Sequence, residues 1–274
     1  MTEIPKIIHY CWFGGRPLGD KELDCIESWR RFIPDCEIKR WDESNFDVRC
    51  CDYVSEAYDA GMWAFVSDYA RFKILYDCGG LYFDTDVEVI KCLNDIIDAG
   101  PFMGFESDYG DMASPNVAAG LDMAVNPGLG LGAPAGLDLY RMILDSYHLD
   151  KFLKDDGTID RTTVVFRTTQ VLEKLGLKKE GGMQRVAGVT IYPSEFFNPK
   201  SYLTGSITLT ENTRTVHHFN MSWFSPQERY QHDVNAWFLR RGLGETPAKY
   251  ASILASVVRF GDYKRVFRHF ARKY

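Results

Sequence analysis

The sequence GGLYFDTDVEV at residues 79–89 decides the fold. A double-glycine turn leads into a short apolar and aromatic run, which is typical of a buried strand. Because residues i and i+2 of a strand point to the same side, Asp84 and Asp86 are expected to place both carboxylates together. Burying two such carboxylates is costly, and a hard divalent cation relieves that cost and can also hold a diphosphate. The stretch therefore predicts a metal–nucleotide site.

The preceding segments predict an α/β nucleotide-binding half. An apolar run at residues 4–13, closed by the pair Gly14-Gly15, indicates a buried first strand. Residues 18–32 have helical spacing, and residues 37–41 alternate as a strand does. Because a strand that ends in glycines lets a ligand approach its backbone, Trp12 is a candidate for stacking on a base. An ordinary core tryptophan explains the same residue equally well.

A further helix, predicted over residues 62–78, leads directly into the aspartate stretch. Asp68 and Arg71 are three residues apart and therefore share one face of it. A surface ion pair would be the simplest explanation of such a pair. Because the helix feeds the aspartate stretch, we instead interpret Arg71 as neutralising a phosphate and Asp68 as binding a sugar hydroxyl.

The composition predicts an ordinary folded enzyme rather than a disordered or fibrous chain. Its 274 residues can bury a large core, and 14 % of them are aromatic. The net charge of −6 argues against nucleic-acid binding. Neither a signal-peptide pattern nor a long uncharged apolar run is present. Seven cysteines without a Cys-x-x-Cys pair favour reduced thiols. We therefore expect a cytoplasmic protein.

Three segments together resemble glycosyltransferase family 32, the sugar transferases that carry a DXD motif. They are IPKIIHY at residues 4–10, SDYAR at residues 67–71 and GGLYFDTD at residues 79–86. This family includes bacterial capsular-polysaccharide enzymes and yeast initiating mannosyltransferases, and the catalytic domains of clostridial glucosylating toxins are more distantly similar. The resemblance is dense over residues 4–106 and resumes near residues 190–224.

The resemblance implies an α/β fold of the GT-A type. Such a fold has a Rossmann-like nucleotide-binding domain and a mixed central sheet. It also implies a retaining enzyme that uses a nucleotide-sugar donor with Mn²⁺ or Mg²⁺. Carried over to this sequence, it implies that Trp12 stacks on the base and that Asp68 and Arg71 hold donor sugar and phosphate. Tyr82 would line the donor site near the phosphates or ribose.

The same resemblance gives the two aspartates unequal roles. Asp84 would contact ribose and metal, whereas Asp86 would be the direct metal ligand. A weaker part of the resemblance concerns the acceptor side, where Glu106 and Asn126 are candidates. Because Asn126 begins an Asn-Pro-Gly turn, plain turn residues are an equally good explanation there.

The sequence TVHHFNMSW at residues 215–223 forms a second site-like cluster. A histidine after a β-branched strand is a reasonable third ligand for Mn²⁺ beside carboxylates. The resemblance places His218, Ser222 and Trp223 near the metal and the β-phosphate. Because strand alternation puts His217 and His218 on opposite faces, only one of them can face the metal. The residues alone leave that choice open, and they also allow core and interface roles for the cluster.

We expect a catalytic domain over residues 1–227 and a helical C-terminal extension over residues 228–274. The donor-binding half would span about residues 1–106 and the acceptor-side half residues 107–227. The extension has apolar stripes at helical spacing and crowded basic residues. Such an end can lie on the inner face of an anionic membrane, which would suit a lipid-linked acceptor. A helical pair docked on the catalytic domain is the alternative.

The leading hypothesis is a metal-dependent, retaining hexosyltransferase that uses a UDP- or GDP-linked sugar. Its acceptor would be a saccharide or lipid-linked saccharide in capsular, surface-polysaccharide or glycolipid synthesis. One rival is a haloacid-dehalogenase-like phosphatase that uses Asp84 and Asp86, although such enzymes usually carry this motif on their first strand. A second rival is a protein that binds nucleotide sugars without catalysis. Donor, acceptor, linkage and oligomeric state are left open.

Overall fold

The chain begins with a strand, a helix and a second strand, in the order predicted for the beginning of an α/β nucleotide-binding half. They are β1 (Ile7–Cys11), α1 (Asp20–Phe32) and β2 (Glu37–Trp41). The two strands pair in parallel, with Ile8 opposite Ile38. A parallel pair needs a crossover, and α1 supplies it. The predicted strand–helix–strand order is confirmed.

The computed structural model describes residues 3–108, 121–148, 150–220 and 224–262. Its described residues fall into two units. One lies within Met1–Lys200 and Thr208–His218, and the other within Ser201–Ile207 and Phe219–Tyr274. The domain boundary expected at residues 227 and 228 stays a prediction.

Two helices follow β2, namely α2 (Asp52–Asp59) and α3 (Trp63–Cys78). Helix α3 ends at Gly79, whose φ of 65° lies in the left-handed region that favours glycine. A Cβ at Gly79 would also lie 2.6 Å from the backbone nitrogen of Ala135. Both constraints require glycine where the chain turns from α3 into the central sheet.

The central sheet is mixed, as expected. Its other strands are β3 (Gly80–Tyr82), β5 (Phe102–Ser107), β6 (Ala124–Val125), β7 (Leu131–Ala133), β8 (Gln184–Val186) and β9 (Val189–Tyr192). The strand order is β2-β1-β3-β7-β5-β9-β8, with β6 paired to β5. Strands β1, β2 and β3 are parallel, and so are β5 and β9, whereas β7 runs antiparallel to β3 and β5.

A separate two-stranded sheet joins β4 (Val87–Val89) to β10 (Thr215–His217). The pairing is antiparallel and places His217 opposite Val87. This small sheet therefore brings a late segment of the chain directly against the segment that follows the aspartates.

The remaining helices of the first unit are α4 (Asn94–Asp98), α5 (Asp138–His148), α6 (Val164–Lys174) and α7 (Ser194–Phe197). Buried side chains form two apolar clusters. Leu81 belongs to one cluster and its neighbour Tyr82 to the other. Because adjacent strand residues point to opposite faces, both faces of the central sheet are covered.

The second unit contains two helices, α8 (Pro226–Arg240) and α9 (Glu245–Phe260), which pack on each other. The side chain of Ser225 accepts from the amide of Glu228, whose carboxylate accepts in return from the Ser225 amide. This capping box fixes the start of α8. The expected helical character of the C-terminal extension is thus observed in its described part. Among the described residues, the helices are too short or too polar to cross a bilayer.

Candidate metal and nucleotide site

The aspartate pair lies in a turn between two strands. Strand β3 ends at Tyr82 and β4 begins at Val87, whose amide donates to the carbonyl of Asp84 at 3.0 Å. The prediction that Asp84 and Asp86 share one strand is therefore wrong, because the chain turns here from the large sheet into the small one. The turn still brings both carboxylates together. Their oxygens and an imidazole nitrogen of His217 all lie within 4.8 Å of one another.

His217 is the histidine that faces this pair. Its Nε2 lies 3.1 Å from Oδ1 of Asp86, and the imidazole is almost fully buried. Burial disfavours the charged ring, yet the pKa of His217 is raised on balance, because Asp86, Asp84 and Glu106 surround it with negative charge. Such surroundings equally favour a bound cation.

His218 faces a different partner. Its Nε2 lies 2.9 Å from Oε2 of Glu88, while its backbone amide donates to the carbonyl of Asp86 at 2.9 Å. The ammonium of Lys200 donates to the carbonyl of His218 at 2.6 Å. The structure thus replaces His218 by His217 in the candidate ligand set, because consecutive residues at the end of β10 point in opposite directions.

Arg71 joins the preceding helix to the aspartate pair. Its side chain is 4 % exposed, and its Nη2 lies 2.8 Å from Oδ1 of Asp68 and 3.2 Å from Oδ1 of Asp84. Its Nε donates to the carbonyl of Ser67. The structure therefore brings Asp68 and Arg71 to the aspartates, as expected. Burial raises the pKa of Asp68 to about 6, and the charge of Arg71 opposes that rise.

Tyr82 contacts the carboxylate of Asp84 directly. Its hydroxyl donates to Oδ1 of Asp84 at 3.0 Å, and the guanidinium of Arg71 lies over its ring at 5.0 Å from the centroid. The tyrosine ring is fully buried. Tyr82 and Arg71 together therefore fix the orientation of the Asp84 carboxylate.

The turn at residues 126–128 contacts Asp84 from another direction. The Asp84 amide donates to the carbonyl of Gly128 at 3.1 Å, and the Gly128 amide donates to Oδ1 of Asn126 at 2.7 Å. Asn126 in turn donates through Nδ2 to Oε2 of Glu106 at 2.7 Å. The two acceptor-side candidates thus form one hydrogen-bonded network that packs on the aspartate pair.

Gly128 is a residue that the sequence reasoning missed. A Cβ at this position would lie 2.1 Å from Oδ2 of Asp84. Asn-Pro-Gly is readable as a turn from sequence, but nothing in the residue order shows which carboxylate the turn will contact.

Trp12 follows β1 and is partly buried. Its indole Nε1 donates to the carbonyl of Arg16 at 2.6 Å, which ties it to its own loop. Part of the ring packs on the core that contains Phe83. Ser222 and Trp223 lie outside the described residues.

A comparison with known families gives a match at the aspartate segment. Residues 19–103 match the family described as "Glycosyltransferase sugar-binding region containing DXD motif". The match covers about a third of the chain and includes Asp68, Arg71, Asp84 and Asp86. It confirms the resemblance to DXD sugar transferases inferred from the sequence.

A curated relative and three solved structures are also similar to this chain. The relative is inositol phosphoceramide mannosyltransferase 1 of Schizosaccharomyces pombe (strain 972 / ATCC 24843), 26 % identical over 130 residues. The alignment covers 40 % of this chain and 38 % of the relative, so the chain spans about two fifths of that protein's length.

The solved structures have low sequence identity to this chain. The PaToxG glycosyltransferase is 15 % identical, with coverages of 62 % of this chain and 69 % of that one and a TM-score of 0.44. A glycosyltransferase involved in glycosylation of the major capsid of PBCV-1 is 10 % identical, with coverages of 79 % and 95 % and a TM-score of 0.42. The galactosyltransferase LgtC, in complex with donor and acceptor sugar analogs, is 15 % identical, with coverages of 89 % and 95 % and a TM-score of 0.39.

Proposed function

We propose that this protein is a metal-dependent, retaining glycosyltransferase that moves a hexose from a nucleotide sugar to a saccharide acceptor. One observation carries the proposal: Asp84 and Asp86, which lie in the segment that matches a DXD sugar-binding region, converge with His217 from far downstream, with their ligand atoms within 4.8 Å of one another. Two carboxylates and an imidazole suit Mn²⁺, and the carboxylates suit Mg²⁺. These three side chains would hold the ion. Once bound, it would offset negative charge on the departing diphosphate.

Arg71 is assigned a positioning role in this proposal. Its guanidinium already contacts Asp68, Asp84 and the carbonyl of Ser67. Because these contacts occupy a guanidinium that is almost fully buried, we assign Arg71 to fixing the two carboxylates and not to contacting a phosphate. The Asp68 carboxylate, oriented by Arg71, would accept a hydrogen bond from a donor-sugar hydroxyl.

The acceptor side is assigned to Glu106 and Asn126. Their network packs on the turn that contacts Asp84, so an acceptor bound there would lie beside the donor. We propose front-face displacement. The acceptor oxygen bonds to the anomeric carbon as the bond to the diphosphate breaks on the same face, and the acceptor proton passes to the leaving phosphate oxygen.

Donor and acceptor classes follow from similarity alone. The donor candidates are the UDP- and GDP-linked hexoses expected from the sequence, and the name of the curated relative, a mannosyltransferase, supports a mannosyl donor among them. We further propose a lipid-linked or surface-polysaccharide acceptor and a cytoplasmic location.

The test is a thermal-shift panel of nucleotide sugars with and without Mn²⁺, followed by turnover of any donor that stabilises the protein. A ligand that binds only the native state raises the melting temperature. Asp86→Asn is expected to abolish metal-dependent turnover. Glu88→Gln, a matched carboxylate two residues further on, is expected to retain it. A wild-type rate in Asp86→Asn at saturating metal, or no response to any nucleotide sugar, would contradict the proposal.

The phosphatase alternative can be tested on the same purified protein. It requires Asp84 as a nucleophile, whereas both oxygens of that carboxylate are engaged by Arg71 or Tyr82. We therefore expect no phosphoryl-aspartate on Asp84 by intact-mass measurement after incubation with phosphate esters.

A further inference from the structure

The outward face of α9 is apolar. Leu254 and Val258 are 61 % and 64 % exposed, the two highest values among the large hydrophobic residues described. They lie one helical turn apart and therefore stack along one face. Tyr250, Ala251 and Ala255 lie on the same arc and are half-buried. No charged side chain interrupts this face of α9, which we call the outer face.

The opposite face of α9 is already used. Ala248, Ile253 and Val257 are buried there together with Ser252 and Ser256. At the end of α9, Phe260 contacts Tyr230 of α8 edge-on, with ring centroids 5.8 Å apart. The outer face is therefore a second, exposed apolar surface, separate from the side of α9 that packs within its unit.

Charge is distributed unevenly along the chain. Residues 228–274 contain ten Lys or Arg and four Asp or Glu, a net charge of +6. Since the whole chain carries −6, residues 1–227 carry −12. An apolar face within a positively charged segment is complementary to a binding partner that is both apolar and anionic. A second copy of this segment is less complementary, because its positive charge would repel that of the first copy.

Trp237 of α8 adds an amphipathic group to this unit. Its ring is 46 % exposed, and the guanidinium of Arg241 lies 3.7 Å from the ring centroid. Tryptophan and arginine both favour the boundary between lipid headgroups and acyl chains, where one end is apolar and the other is hydrated.

We propose that the outer face of α9 binds an anionic lipid surface. Leu254 and Val258 would enter the headgroup boundary, and the net positive charge of residues 228–274 would attract anionic lipid headgroups. This inference goes beyond the proposed function and does not depend on it.

The test uses the full chain and two kinds of vesicle, phosphatidylcholine alone and phosphatidylcholine mixed with phosphatidylglycerol. Co-sedimentation is expected with the anionic vesicles only and is expected to weaken as salt is raised. In the double variant Leu254→Glu/Val258→Glu, the vesicle partition coefficient is expected to fall by roughly tenfold or more. Both side chains are exposed, so the melting temperature should stay close to that of the wild type.

A matched control uses exposed residues of the other unit. Met183 and Leu209 are 56 % and 58 % exposed, and the variant Met183→Glu/Leu209→Glu makes the same change in charge. It is expected to bind vesicles as the wild type does. Nucleotide-sugar thermal shifts should be unchanged in both variants, which separates this test from that of the proposed function.

Three results would overturn the inference. The wild type stays in the supernatant with anionic vesicles; the two double variants lose binding equally; or the α9 variant leaves vesicle binding intact and abolishes a concentration-dependent dimer seen by sedimentation. The last result would assign the outer face to a second copy of the chain.

Discussion

Nε2 of His217 lies 3.1 Å from Oδ1 of Asp86, and the backbones of their two segments are paired in one small sheet. The register of that sheet sets His217 opposite Val87, the first residue after the aspartate turn. The distance between these two ligand candidates is therefore fixed by backbone hydrogen bonds and does not depend on side-chain packing alone.

Replacement of His217 should weaken metal binding, whereas replacement of His218 should not. His217→Ala removes one of three converging groups, and we expect the Mn²⁺ affinity to fall by at least about tenfold. His218→Ala is the matched control because its imidazole contacts Glu88. Calorimetric titration with Mn²⁺ measures both. Equal losses in the two variants would contradict the assignment.

Gly128→Ala should impair activity more than stability. The added Cβ would lie 2.1 Å from Oδ2 of Asp84, so the carboxylate must move. We expect activity to fall by tenfold or more, and overpacking to lower the free energy of unfolding by about 1–3 kcal/mol. Gly181→Ala is the control, since a Cβ there meets no atom within 4 Å and should change neither quantity. Steady-state rates and urea unfolding test this, and an active Gly128→Ala protein would refute it.

Arg71→Met should destabilise the fold. It leaves Asp68 and Asp84 as carboxylates without their shared cation, and removing one member of a buried pair costs about 3–5 kcal/mol. We also expect the pKa of Asp68 to rise further, because burial remains while the opposing charge is lost. Arg49→Met removes an exposed bidentate pair with Asp59 and should have little effect. Urea unfolding of the two variants compares a buried with an exposed arginine, and similar losses would contradict the prediction.

His9 should make stability depend on pH. Its Nδ1 accepts from the indole of Trp41 at 3.0 Å, and its Nε2 donates to the carbonyl of Gly79 at 3.0 Å, so the buried ring is neutral. Burial, with a smaller contribution from the charge of Lys39, lowers its pKa from 6.5 to about 4, although the hydrogen bond to Gly79 opposes the shift. Protonation thus favours the unfolded chain, and stability should fall as pH drops from 6.5 towards 4. The loss would be about 3 kcal/mol.

The variant His9→Gln checks this assignment. The Gln amide can still donate to Gly79 but does not titrate. Its free energy of unfolding should therefore change less between pH 6.5 and 4 than that of the wild type, whatever its absolute stability. Parallel pH profiles for the two proteins would show that other groups are responsible.

Features set by local sequence were predictable. The strand–helix–strand start follows from periodicity within single segments. The shared face of Asp68 and Arg71 follows from helical spacing, and the structure brings both to Asp84. Each of these depends on residues that lie close together in the chain.

Features set by distant pairing were not predictable. The run at residues 81–89 reads as one strand, yet it is divided between two sheets because β10 pairs with its second half. The same pairing decides that His217 faces the aspartates. Side chains alternate along a strand, so His217 and His218 must point in opposite directions. Which of the two faces the aspartates is determined by the register of β10 against β4. Contact of Gly128 with Asp84 is likewise a long-range result.

The small sheet also affects when the site can form during synthesis. A chain emerging from the ribosome would carry Asp84 and Asp86 long before β10 is available to pair with β4. Until then it would offer a cation two carboxylates held by α3 and β3, without the imidazole of His217. If the site binds a cation as proposed, the complete set of three ligands would form only after most of the first unit has been translated, and early fragments would bind the ion more weakly than the folded protein.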